Sequence, residues 1–264
     1  FTVCYWDQRG AGMTYDKSTD PTTMTEDQLV EDTREVTEYL KSRFGQNKIY
    51  LLGHSWGSYL GVKTIEKYPE NYLAYIGIGQ VSNQKESERL AYQYILSRAK
   101  QMNDKDVIEK LEKYDPYADD FPQLDYLVKG RTAILNKYGI GHLHQGVTSW
   151  DILKSLFVFK GYTVTEKINW FLGADFSMIH LFPGLLEDDL FLSSVKFEVP
   201  FYITQGAHDY MVSQVLAEKY AEACEAPKKE FILFEDSAHS PNMEEPEKFI
   251  EVMRRIALEN PLEE

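Results

Sequence analysis

The chain has 264 residues, of which 43% are hydrophobic and 27% charged, and a net charge of −14. These values suit a single globular domain or a domain carrying an insertion. The acidic balance argues against nucleic acid as a partner, because a phosphate backbone repels such a surface. The longest apolar runs, Leu73–Gly79 and Leu153–Phe159, are too short to cross a bilayer, and no basic segment followed by an apolar one opens the chain. Membrane is therefore not an expected partner and the cytoplasm is the expected compartment, with Cys4 and Cys224 as buried free thiols there.

Taken in order, Thr2–Trp6 is a run of β-favouring residues that ends in the turn Asp7-Gln8-Arg9-Gly10-Ala11-Gly12. Thr25 followed by Gln28 has capping-box spacing. Leu29, Thr33, Val36, Leu40 and Phe44 then fall on one helical face, and Gly45 is a natural stop. Lys48–Leu52 has the continuous apolar centre of a parallel strand buried on both faces. A helix from Trp56 to Tyr68 ends at Pro69, and Leu73–Gly79 is the next buried strand. Strands and helices alternate, so residues 1–82 are doubly wound α/β.

From Asn83 the pattern changes to helices over Gln84–Met102, Asp104–Tyr114, Phe121–Tyr138, Trp150–Phe159 and Thr165–Leu172, with nine aromatics between Trp150 and Phe191. Alternation returns with strand Pro200–Gln205, helix Ser213–Cys224, strand Glu230–Phe234 and helix Pro246–Leu258. The organisation expected is an α/β core, 1–82 and 196–264, carrying a helical cap over 83–195 that roofs the site. No repeat or low-complexity segment is present.

The chemistry concentrates at Gly53-His54-Ser55-Trp56-Gly57, a Gly-x-Ser-x-Gly sequence between a buried strand and a helix. That context marks a nucleophile on a strained strand-to-helix turn, where side chains at 53 and 57 would collide with the turn. The Trp56 backbone N–H, at a helix N-terminus, points to where an oxyanion would form. A serine needs a base, and the base needs an orienting group. Asp209 follows the strand Phe201–Gln205 and His239 follows the last strand, Phe231–Phe234, at the strand ends where open α/β sheets place ligands. The plainer reading, a tight turn whose serine only caps a helix, does not account for this ordered set. His208 precedes the last strand and suits local packing or the pocket lining. Asp236 follows the wrong strand for the acid. His54 occupies the variable elbow position. His142 and His144 lack a ligand cluster and suit the cap, and His180 suits a core or pocket-lining place. No cofactor or metal is implied.

These residues resemble the proline iminopeptidase branch of the α/β-hydrolase superfamily. The turn at 7–12 matches the branch's Asp-Gln-Arg-Gly-x-Gly, and Gly53-His54-Ser55-Trp56-Gly57-Ser58 matches its elbow except that His54 replaces the usual Gly, as in many esterases. The resemblance implies a serine hydrolase acting through an acyl-enzyme. The nucleophile is Ser55, the base His239, the orienting acid Asp209 and one oxyanion donor the Trp56 N–H. The substrate is a small molecule or short peptide, first as an aminopeptidase of the proline iminopeptidase type and second as a small-ester carboxylesterase. Epoxide hydrolase and dehalogenase chemistry is disfavoured, because those relatives carry Asp at the nucleophile. A binding protein that keeps the fold without catalysis is the reading of another class. For a peptidase, a cap carboxylate, Glu86 or Glu88, would meet the substrate amine. The resemblance also implies a His-Gly-Gly-Pro-Gly-like loop that supplies the second oxyanion donor, and this sequence contains no such segment. It makes Thr2–Trp6 the fourth strand and Lys48–Leu52 the fifth, with other strands between and beyond. A separate N-terminal segment completing the sheet is therefore expected.

Overall fold

In the computed structural model, residues 1–145 and 149–262 are described. Helix α1, Glu26–Phe44, starts on Thr25, whose hydroxyl accepts from the Gln28 N–H, and ends at Gly45 with φ 63°. The chain continues through β1 (Ile49–His54), α2 (Trp56–Lys67) and β2 (Tyr72–Ile78). Next come α3 (Gln84–Met102), α4 (Lys105–Leu111), α5 (Leu124–Tyr126), α6 (Thr132–Lys137), α7 (Ser149–Val158), α8 (Val164–Glu187) and α9 (Leu190–Ser193). The last part is β3 (Phe201–Gly206), α10 (Gln214–Ala223), β4 (Lys229–Phe234), α11 (Pro241–Glu244) and α12 (Pro246–Glu259).

Among the described residues the sheet has four parallel strands in the order β1-β2-β3-β4. Its centre is β2 and β3, with Ala74, Tyr75, Ile76, Phe201, Tyr202 and Ile203 fully buried. One face is covered by α2 and α10 and the other by α12, through Val252 and Ile256. Parallel ladders need helices on both faces, which explains the near-continuous apolar runs in β2 and β3.

Several expectations are corrected here. Residues 2–6 form no strand and are largely exposed, Tyr5 by 95%, so Cys4 is exposed rather than buried. A β-favouring sequence becomes a strand only with a ladder partner, and no described residue pairs with this one; the Phe1 ring instead meets Tyr50 edge-on at 5.5 Å. For the same reason β1 is an edge strand, half-buried, with Leu52 45% exposed. The helix expected over 121–138 is broken, because Gly130 is non-helical (φ 169°, ψ −18°) between α5 and α6. In the opposite direction, α8 runs far past Leu172, held at its start by a capping box between Thr163 and Glu166 and continuing through Pro183.

The aromatics of this region divide by place. Phe182 and Phe191 pack against the core, and Phe176 packs beside Met24 under the turn at 7–12, whereas Phe157, Phe159 and Phe171 are exposed. Among the described residues no helix is long and apolar enough to cross a membrane.

Candidate active site

All four strands run in one direction, so their C-terminal ends deliver Ser55, Gly79, Asp209 and His239 to one edge of the sheet. Backbone bonds continue the ladders past the strands: Ser55 N–H to Ile78 O at 2.9 Å, Gly79 N–H to Thr204 O at 3.1 Å and His208 N–H to Ser237 O at 3.0 Å. The loops that carry the site are thereby fixed to each other.

Ser55 precedes α2 with φ 56° and ψ −120°, a conformation costly for any residue with a Cβ, and its side chain does not cap the helix. Gly53 is required beneath Ser55, since a Cβ there would stand 2.2 Å from the Gly57 carbonyl oxygen. The expectation that Gly57 is needed on the same grounds is not met: a Cβ at Gly57 meets nothing within 4 Å. Gly53→Ala should therefore cost at least about 3 kcal/mol, because backbone cannot move aside. Gly57→Ala, on the first turn of α2, should stay within about 1 kcal/mol of the parent or gain from helix propensity. Thermal unfolding of the pair checks both; equal losses would refute the distinction.

His239 and Asp209 are buried, at 2% and 1% exposure, and His239 Nδ1 lies 2.8 Å from Asp209 Oδ2. A carboxylate can only accept, so Nδ1 carries the proton and Nε2 is left as the basic nitrogen. The other carboxylate oxygen, Oδ1, accepts from the Met211 and Val212 N–H groups at 2.9 and 3.0 Å, and Oδ2 also accepts from Gln205 Nε2 at 2.8 Å. The acid is thus saturated and fixed. The imidazole lies over Gly79, where φ is +56° and a Cβ would stand 2.8 Å from His239 Cε1. On the serine side, the hydrogen bonds of the described residues join His239 to Asp209 and the Ser55 carbonyl to Ser58, and none joins the Ser55 hydroxyl to His239. Such bonds commonly close only when substrate is bound. Trp56 is the first residue of α2, so its N–H has no intrahelical acceptor, and its indole donates to Gln8 Oε1 at 3.1 Å.

Sequence reasoning missed the polar residues that join these parts. Ser58 Oγ donates to Ser55 O at 2.6 Å and accepts from Val81 N–H at 3.0 Å. The Gln80 N–H donates to Gln205 Oε1 at 2.9 Å, and Gln205 then holds Asp209. Gln80 and Gln205 are fully buried, and a glutamine at the end of an apolar strand was the signal available.

The remaining histidines sort clearly. His54 keeps an exposed edge, donates from Nε2 to the His239 carbonyl (2.8 Å), and has its pKa lowered to about 4 by burial of the rest of the ring and by His239. His142 is half-buried 6.4 Å from the His239 ring, held down to about 4 by burial, then by His239 and Arg131. His144 stacks on His208 at 3.6 Å, which gives His208 a local packing place. His180 is exposed beside Phe176 and belongs to no core. Asp236 is exposed, and the carboxylate bonded to His239 is that of Asp209. Among the described residues no cluster of His, Cys, Asp and Glu could hold a metal.

The turn at 7–12 ties the insertion to the core. Arg9 makes two bonds to Asp32 of α1, at 2.7 and 2.8 Å, Tyr162 donates to Asp7 Oδ1 at 2.7 Å, and Ser177 of α8 donates to Gly10 O at 3.1 Å. Of the two carboxylates considered for a substrate amine, Glu88 is fully buried against Arg131, and Glu86 lies at the surface beside Arg89. A separate cleft of about 350 Å³, lined by Lys48, Glu70 and Tyr72, lies at the opposite strand ends and has no part in this arrangement.

A profile of the α/β-hydrolase fold family matches residues 1–246. The chain belongs to that family, and its relatives place it beside the proline iminopeptidases. It is 34% identical to a probable aminopeptidase of Bacillus subtilis over 97% of this chain and 80% of that protein. It is 27% identical to a proline iminopeptidase of Saccharolobus solfataricus over 96% of this chain and 75% of that one. The crystal structure of a proline iminopeptidase from Mycobacterium smegmatis superposes with a TM-score of 0.64 at 16% identity, over 96% of this chain and 78% of its own. The last is a likeness of fold. The protein is a hydrolase of the α/β type.

Proposed function

We propose that the protein is a serine hydrolase that cleaves an amide or ester through an acyl-enzyme, with aminopeptidase action of the proline iminopeptidase type as the first substrate class. The observation that carries this reading is the pairing of a strained, non-capping Ser55 with a buried, carboxylate-oriented His239 on the same sheet edge. In the proposed cycle Ser55 Oγ attacks the carbonyl carbon as His239 Nε2 takes its proton, while Asp209 stabilises the imidazolium that forms. The Trp56 N–H binds the oxyanion. His239 returns the proton to the leaving amine or alcohol, and water repeats the sequence to free the acid. The insertion, 83–195, acts as the cap. Its contacts with the turn at 7–12, and those of residues 139–145 with the loops of Asp209 and His239, support that role.

A carboxylesterase is the second reading. It is favoured by the engagement of Glu88 with Arg131, which leaves that carboxylate unavailable to a substrate amine. The test sets an N-terminal prolyl arylamide beside short-chain p-nitrophenyl esters, with a fluorophosphonate probe as control. Labelling with preferential arylamide turnover is the expected result. Labelling with ester turnover alone moves the assignment to the esterase, and failure of the probe to label removes both in favour of a binding protein.

A further inference from the structure

The insertion contributes a buried ion pair whose position the catalytic cycle above does not use. Glu88, on α3, is fully buried, and Arg131, just before α6, is 8% exposed. Arg131 Nη2 lies 2.5 Å from Glu88 Oε1, and Arg131 Nε donates to Glu88 Oε2 at 2.6 Å. Gln84 Nε2 donates to the same Glu88 Oε1 at 2.8 Å. A buried pair of this kind adds little net stability over apolar residues of similar volume, so stability alone does not account for it.

The use is visible one bond further on. Arg131 Nη2 also donates to the Met211 carbonyl at 2.9 Å, and Gln84 Nε2 donates to that carbonyl at 3.0 Å. The Met211 carbonyl and the Val212 N–H belong to one peptide group, and the Val212 N–H donates to Asp209 Oδ1 at 3.0 Å. Ser87 completes the attachment by accepting from the Ser213 N–H at 2.7 Å. A cation on the carbonyl side of a peptide polarises it and strengthens the N–H on its far side as a donor, more so where water is excluded. Charge carried by the insertion therefore acts, through one peptide group, on the carboxylate oxygen opposite the one that holds His239.

The geometry points to Arg131 as a positioning residue: held by Glu88, it orients and polarises the 211–212 peptide and so fixes Asp209 for His239. This rests on the serine-hydrolase reading. It makes the insertion part of the catalytic apparatus as well as a roof, because one of the peptide groups that hold the acid is itself held by the insertion.

The experiment uses the full chain and three variants, Arg131→Met, Glu88→Leu/Arg131→Met and Ser55→Ala. Unfolding temperature, fluorophosphonate labelling rate, and kcat and KM on the substrate found above are measured for each. Arg131→Met leaves Glu88 buried and alone and is expected to unfold early. The double variant removes both charges and is expected to unfold close to the parent. If Arg131 positions Asp209, the folded double variant labels about tenfold more slowly, the value of one weakened hydrogen bond. Its kcat falls in step while KM holds. Parental labelling and kcat in a folded double variant would overturn the inference and leave the pair purely structural. Ser55→Ala separates the two levels: if it still labels or turns over, the serine reading itself fails, whereas an inert Ser55→Ala beside a fully active double variant refutes the role of Arg131 alone.

Discussion

Ser55→Ala should reduce turnover by on the order of 10⁴-fold or more while leaving the fold intact. The reason for expecting so clean a separation lies in the local structure. The Ser55 hydroxyl caps nothing, and the bonds that anchor the elbow are made by backbone atoms: Ser55 N–H to Ile78 O, and Ser55 O from Ser58. Alanine keeps all of them and suffers the same positive φ, so the change in stability should stay within about 0.5 kcal/mol. Residual activity is expected from the oxyanion donor and from substrate binding, which do not depend on the hydroxyl. The measurement is kcat/KM with unfolding temperature on the same preparation. Activity within tenfold of the parent, at equal stability, would remove Ser55 from the chemistry.

The parts of this molecule that were legible in the sequence are those where one local rule acts alone. Gly53-His54-Ser55-Trp56-Gly57 declared itself because few sequences satisfy the sterics of a strand-to-helix elbow, and Asp209 and His239 followed from the order of strands. The bounds expected for helix α3, Gln84–Met102, are those observed, and its ends are sharp because the Asn83 side chain accepts from the Glu86 N–H and Asn103 is left-handed. The readings that failed needed information from distant residues. Residues 2–6 have strand composition, yet a strand exists only in a ladder, and composition cannot say whether a partner is at hand. Gly130 breaks a helix that periodicity would have continued, while α8 continues well past the end expected at Leu172. The polar links Ser58, Gln80 and Gln205 were hidden for another reason: each sits in an apolar stretch, and only the fold reveals that their donors and acceptors meet. Glu88 shows the converse, since its spacing near the start of the insertion suggested a ligand for an amine and the fold gave it to Arg131.

Asp209→Asn should be the second severe lesion, with a different signature. The carboxylate accepts four hydrogen bonds, two on each oxygen, and all four donors are held by their own surroundings. Asparagine has one acceptor oxygen and one amide NH₂, so one pair of donors must face a donor. Turning the NH₂ toward the Met211 and Val212 N–H groups opposes two backbone donors that cannot reverse. Turning it toward Gln205 and His239 opposes side chains that can, because imidazole can move its proton. The second arrangement is therefore favoured, and it leaves His239 with an accepting Nδ1 and a protonated Nε2. In that tautomer the ring can no longer take the Ser55 proton, and kcat should fall by about 10⁴-fold with KM little changed. Gln205 cannot accommodate the change without loss, since its amide also donates to Val212 O at 3.2 Å and accepts from Gln80 N–H at 2.9 Å. One unpaired buried group costs about 1–3 kcal/mol, which for a chain of this size lowers the unfolding temperature by several degrees. Ser55→Ala and Asp209→Asn should thus both be inactive, with only the second destabilised. Asp236→Asn, at an exposed position after the last strand, is the control and should leave activity and stability unchanged. If Asp209→Asn instead retains activity within tenfold while Asp236→Asn loses it, the acid is Asp236 and the arrangement described here is wrong.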